Sequence, residues 1–412
     1  MSAALSGLVA AMLLGAIACW IWVPRIGRTA VSSAEIDADF SRAERDREEG
    51  FRQRIRPWGY VSLGLGVLVP TVLMMSAAVA AVTTALNSHW VLAVCAGVAL
   101  VSITGWLVNL IPAAMSRRVL LDVGLATGSW GRWWRDAVLA QGIGLVLTCL
   151  AMVGLIGAAR WWPTGWWIVV ALIAIVVVVV LSLVVPVVIE PMFNRFTPLA
   201  QGPLRRELMD LAQRDGVPIQ DVLVADASKR TSALNAYVSG LGPTRRVVVH
   251  DTLVDREKDA EVVAVVAHEL GHVVARDVWF GTLVGALAAA AGVCALELAL
   301  GSPSVLVFGH CAGAYDPAVV GLVLTATAWI GLLATPLMNG VSRRIERRAD
   351  LHCFALIDDP ATVVEMHRAL ALTNIAALEP PALRYLWFAS HPTSPERIKA
   401  AREFTVSSDL RA

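Results

Sequence analysis

The sequence predicts a mainly α-helical, polytopic membrane protein, with seven transmembrane helices and a cytoplasmic domain carrying a small β-sheet. Three observations lead there. The 412 residues are 57% hydrophobic and only 16% charged, too apolar for an ordinary soluble chain of this length. Seven apolar runs reach the about 20 helical residues that cross a bilayer. Arginines gather in alternate connecting segments, the asymmetry that orients a membrane protein.

In chain order the spans are expected near 3–24, 60–86, 90–113, 137–159, 164–189, 278–300 and 317–339. The first has no Lys or Arg between Met1 and Leu13, so the basic n-region of a signal peptide is missing and an uncleaved span is expected. The fifth holds Ile173-Ala174-Ile175 and an unbroken valine run from Val176 to Val180. Residues 1–189 form an N-terminal membrane domain of five spans. Residues 190–412 form a second domain that includes the last two. Within it, 220–225 and 245–250 are expected strands. The latter is expected to offer an edge to an extended peptide.

Arg25, Arg28, Arg42, Arg45, Arg47, Arg52, Arg54 and Arg56 follow the first span. Arg117, Arg118, Arg132 and Arg135 follow the third, and Arg343, Arg344, Arg347 and Arg348 the seventh. Alternation puts all of them on one side, the cytoplasm, with the C-terminus inside. Arg-rich, Ala- and Val-rich usage with Lys only at 229, 258 and 399 suggests a bacterial plasma membrane. The net charge of +1 gives no nucleic-acid signal. Six cysteines without a CxxC pair indicate neither a thiolate metal site nor a disulfide framework.

His268-Glu269-Leu270-Gly271-His272 is the chemically decisive stretch. Histidines at i and i+4 share a helix face and suit one Zn²⁺, with the glutamate placed to act as general base on a water. The flanking apolar stretch from Val262 to Ala275 is too short to span, so the site is juxtamembrane. A catalytic zinc takes three protein ligands. The sixth and seventh spans form a hairpin that returns the chain to the same side, where Glu346 is the best third ligand. Asp350, one turn on, is placed to orient a ligand histidine. Alone, this segment is a solvated helix whose acids pair with its four arginines. His352 lies off the Glu346 face, and His310 falls in the opposite loop.

Further segments carry a resemblance. They are Pro191 to Leu199, Ser228 to Tyr237, Arg246 to Leu253 and His391-Pro392-Thr393-Ser394-Pro395-Glu396-Arg397-Ile398. With the pentapeptide and the Glu346/Asp350 segment, they resemble the type I CAAX prenyl endopeptidases over residues 190–412. The resemblance implies a zinc metalloendopeptidase with His268, His272 and Glu346 as ligands and Glu269 as base. Asn235 and His391 would lie near the substrate or the developing oxyanion. It also implies a chamber between the spans; the sequence itself allows a plain bundle. Read alone, Asn235 is a turn residue and His391 a loop residue. Expected partners are the lipid bilayer and a peptide or protein substrate, with or without a lipidated C-terminus.

Three features depart from the prenyl-processing pattern. Ser390 stands where a second His often precedes His391. The tail Asp409-Leu410-Arg411-Ala412 carries no ER-retrieval signal. Val273 to Asp277 resembles the membrane quality-control zinc peptidases. A quality-control protease is therefore an alternative. A non-catalytic seven-span binding or transport protein is a second, disfavoured by the joint presence of Glu269 and Glu346.

Overall fold

The computed structural model describes residues 2–409 except Leu241 and Asp358; Leu410, Arg411 and Ala412 of the tail lie outside the described residues. The N-terminal half is helical: α1 (Ser2–Trp22), α2 (Ser33–Asp39), α3 (Arg42–Met75), α4 (Ala78–Ala85), α5 (Trp90–Asp122), α6 (Trp130–Trp161), α7 (Trp166–Val184) and α8 (Glu190–Phe193). Then come β1 (Phe196–Pro198), α9 (Pro203–Arg214), β2 (Asp221–Ala225), β3 (Ala236–Ser239), β4 (Arg246–His250), α10 (Asp251–Arg256) and α11 (Asp259–Val274). The chain closes with α12 (Asp277–Leu300), α13 (Pro303–Phe308), α14 (Val319–Leu356), α15 (Pro360–Thr373), α16 (Ala382–Phe388) and α17 (Ser394–Asp409).

Seven helices among the described residues are long and apolar enough to cross a membrane: α1, α3, α5, α6, α7 with its continuation to Phe193, α12 and α14. Their outer faces stay bare, as lipid-facing helices require: Val176 is 59% and Leu337 72% exposed.

The helix ends differ from the hydropathic reading because hydropathy marks only the buried-in-lipid portion. The second span starts 18 residues earlier than expected. Ser41 caps it in a reciprocal capping box with Glu44, so the charged stretch from Arg42 to Arg56 is already helical. It also ends earlier, at Met75. Ala77 adopts a left-handed conformation (φ 55°), and α4 continues as a separate piece. The seventh span runs on to Leu356. Thirty-eight residues, with Pro336 among them, make a helix of about 57 Å, nearly twice the about 30 Å of hydrocarbon, so the end carrying Glu346 and Asp350 extends beyond it.

The sheet has the order β1-β2-β4-β3. β2 and β4 pair in parallel from Asp221↔Arg246 to Ala225↔His250, flanked by antiparallel edges. The two central strands bury Val222, Val247 and Val249 completely, which explains their β-branched, poorly alternating sequence. The edge expected at 245–250 is therefore not there. β4 is paired on both sides, and the edges belong to β1 and β3; β3, next to Asn235, is a four-residue strand too short to stand out in the sequence.

Helix α11 is the core of the second half. It is buried from Glu261 to His268, packed against the sheet, α9, α14 and α15. Its approach to α14 is closest at Gly271, where a Cβ would stand 3.2 Å from Ala349 Cα and 3.1 Å from His352 Cβ. Only a residue without a side chain lets the two helices come this near. Gly271→Val is expected to push them apart, costing about 1–3 kcal/mol by overpacking and lowering metal content, read by thermal unfolding in detergent and by metal analysis.

Candidate metal centre

His268 and His272 sit one turn apart on α11, their rings 5.0 Å apart and nearly perpendicular. The two Nε2 atoms are 3.3 Å apart. Glu346 comes in from α14, with Oε2 3.2 Å from His268 Nε2 and Oε1 3.6 Å from His272 Nε2. Ligand atoms about 2.1 Å from a tetrahedral zinc stand roughly 3.4 Å from one another. The two imidazole nitrogens, and the Glu346 oxygen facing each of them, thus stand close to that spacing. Glu346 Oε2 is buried and meets no donor in hydrogen-bonding geometry. An orphaned buried acceptor beside two imidazole nitrogens is the arrangement a cation satisfies.

The far nitrogen of each ring has its own acceptor. His268 Nδ1 lies 3.0 Å from Asp350 Oδ1, and His272 Nδ1 2.9 Å from Asp277 Oδ2. Each carboxylate fixes the tautomer that points the Nε2 lone pair at the centre. Asp350 is in turn gripped by Arg397 of α17, whose Nε lies 3.0 Å from both carboxylate oxygens. Asp277 forms an ion pair with Arg348. Arg348 also donates to the Trp22 carbonyl at 2.8 Å, and Trp22 Nε1 donates to the Ala275 carbonyl at 2.8 Å. The end of α1 is thereby fastened to the metal centre.

Glu269 lines a cavity of about 960 Å³ together with Asn235, His268 and His391. Burial pushes its carboxyl above the ordinary 4.5, toward the range where a general base works best. His391 Nε2 stands 3.3 Å from Glu346 Oε1, and its Nδ1 is 2.8 Å from Ser390 Oγ. Asn235 precedes β3, its carbonyl accepting from the His250 amide at 3.0 Å. The structure thus brings Asn235, Glu269, His391, the two ligand histidines, Glu346 and Asp350 into one region. His352 instead pairs with Asp215 at 3.0 Å. Asp350 pairs with distant Arg397 rather than with arginines of its own helix.

Sequence reasoning missed Asp277, Arg348 and Arg397. Arg397 lay inside a quoted motif without a role. Asp277 sits five residues after His272, the wrong offset for a continuous helix. The left-handed Arg276 (φ 58°) breaks α11 and turns the carboxylate back.

The description "Peptidase family M48" matches residues 198–405, half of the chain. The chain belongs to peptidase family M48. A second description, "CAAX prenyl protease N-terminal, five membrane helices", matches residues 119–195. The uncharacterized metalloprotease YhfN of Bacillus subtilis is 29% identical over 69% of this chain and 68% of its own length. CAAX prenyl protease 1 homolog of Arabidopsis thaliana is 33% identical over 53% of each. CAAX prenyl protease 1 of Saccharomyces cerevisiae is 49% identical over 90 residues, 22% of this chain and 20% of its own length. The chain thus matches about half or less of these CAAX prenyl proteases. The crystal structure of S. mikatae Ste24p superposes with a TM-score of 0.77 at 20% identity, over 97% of this chain and 98% of that one, so the two share a fold. This M48 member is a multi-pass membrane metalloprotease acting on peptides or proteins. Asp277→Asn is expected to weaken metal binding about ten- to hundredfold while leaving secondary structure intact, measured by chelator competition and circular dichroism.

Proposed function

We propose that the chain is a zinc endopeptidase in which His268, His272 and Glu346 hold the ion. The observation that carries this is the three-sided set of ligand atoms with a buried glutamate beside it. Zinc, when bound, supplies the Lewis-acid charge that acidifies water and draws the scissile carbonyl oxygen. Glu269 takes the proton of the attacking water and passes it to the departing amine. His391 and Asn235, on the same wall, donate to the oxygen on which negative charge develops. Asp350 and Asp277 hold the imidazoles in the neutral, ligating tautomer.

The substrate lies extended along the free edge of β3, which begins at the residue after Asn235 and offers unpaired backbone groups. The arginine asymmetry supports a site on the cytoplasmic side, and the Arg-, Ala- and Val-rich composition supports a bacterial plasma membrane. Tyr60, Leu63 and Phe388 give the cavity an apolar stretch that suits a lipidated C-terminus, as do relatives named CAAX prenyl proteases. Degradation of misfolded membrane proteins by the same chemistry is the second reading, favoured by Ser390 in place of a histidine.

Glu269→Gln is expected to keep about one equivalent of zinc and to lose hydrolysis about a hundred- to ten-thousandfold; unchanged turnover removes Glu269 from the mechanism. Cleavage of a farnesylated peptide ending in a CAAX sequence is expected to exceed that of its unmodified form. Equal rates would favour the quality-control reading.

A further inference from the structure

The cavity that holds Glu269 carries a second charged feature that the chemistry above leaves unused. Arg52 and Arg56 lie one turn apart on α3, and Arg384 joins the same lining from α16. Arg384 and Arg52 stand close enough for their charges to repel. Arg52 is held by Glu48 and by the Ile375 carbonyl, each at 3.0 Å. Arg56 reaches Glu49 at 3.3 Å, but its Nε is buried without an acceptor. Arg384 makes neither an ion pair nor a side-chain hydrogen bond among the described residues.

Three guanidiniums against two carboxylates leave one positive charge without a counter-ion. Among the described residues, Glu269 is the only acid on the cavity wall itself. Like charges gathered in a cleft destabilise the free protein and attract an anion. A guanidinium fork matches a carboxylate bidentately. Arg384, Phe388 and His391 line the same cavity as Glu269, so an anion held at Arg384 shares it with Glu269.

We propose that Arg384, with Arg56 beside it, binds the free α-carboxylate at the C-terminus of the peptide substrate. This rests on the peptidase reading above and adds to it. An extended peptide advances about 3.3 Å per residue. A fixed anchor therefore sets the cleavage point by distance from the end, and the released fragment has one length.

The test uses the full chain in detergent, loaded with zinc and carrying Glu269→Gln so that the peptide is not consumed. A fluorescent decapeptide is titrated as the free acid and as the C-terminal amide. The acid is expected to bind about ten- to hundredfold more tightly. Adding Arg384→Gln should erase the difference, and Arg384→Lys should restore part of it. Arg384 makes no ion pair or side-chain hydrogen bond among the described residues, so Arg384→Gln should leave the fold intact, with thermal unfolding unchanged or raised by the lost repulsion from Arg52. Equal binding of acid and amide overturns the proposal, as does an acid preference that survives Arg384→Gln. Phosphatidylglycerol held by Arg384 in place of the acid would assign the cluster to a lipid headgroup and equally overturn it. With Glu269 restored, absent hydrolysis alongside an intact acid preference would fault the peptidase reading and leave the anchor standing.

Discussion

A buried carboxylate facing two imidazoles from a different helix is the constraint on which the rest of this molecule depends. Glu346 and His272 are more than seventy residues apart, yet their atoms come within 3.6 Å. No local turn can do this. It takes a hairpin of two spans, α12 and α14, that leaves the site and returns to it. It also takes a seventh helix long enough to carry Glu346 past the hydrocarbon. The missing side chain at Gly271 removes the last obstacle, because the ligands project only as far as the two backbones permit.

Burying this much charge obliges the fold to balance it. A lone carboxylate in such surroundings is costly, and breaking a buried pair costs more than the pair itself yields. Asp350 is therefore matched by Arg397 from the last helix and Asp277 by Arg348, with the imidazoles between. The sequence of contacts runs from Trp22 through Arg348, Asp277 and His272 to Glu346. From there it passes to His268, Asp350 and Arg397. Five helices, α1, α11, α12, α14 and α17, from the beginning, middle and end of the chain, are joined through one centre. Rigidity follows from this, and a metal site needs rigidity to hold its ligands at fixed separation.

Much of this was legible in the sequence, and the parts that were not have physical reasons. Apolar length disclosed the seven crossings, and the i, i+4 histidines disclosed the ligand face, because both are local signals. The α3 start was hidden because hydropathy cannot see a charged helix. β3 was hidden because four residues carry too little pattern. The parallel pairing of β2 with β4 depends on which strands meet, a non-local fact, and it places the strand expected as an edge at 245–250 inside the sheet. Arg397 and Asp277 escaped because a partner's identity depends on convergence in space. Arg397 is 47 residues from Asp350, and Asp277 reaches His272 only through a left-handed kink.

The fastening of Trp22 beside Ala275 has a consequence for how the protein is built. The first span is a brace for the catalytic machinery as well as a tether. Trimming it as if it were a leader would deprive Arg348 of one acceptor and leave Asp277 with a looser partner. Chain order thus hides a circular dependence: the Trp22 indole finds its carbonyl only when a residue 253 positions further along has folded beside it. The set of contacts is complete only once α17 has docked as well, because Arg397 is what holds Asp350.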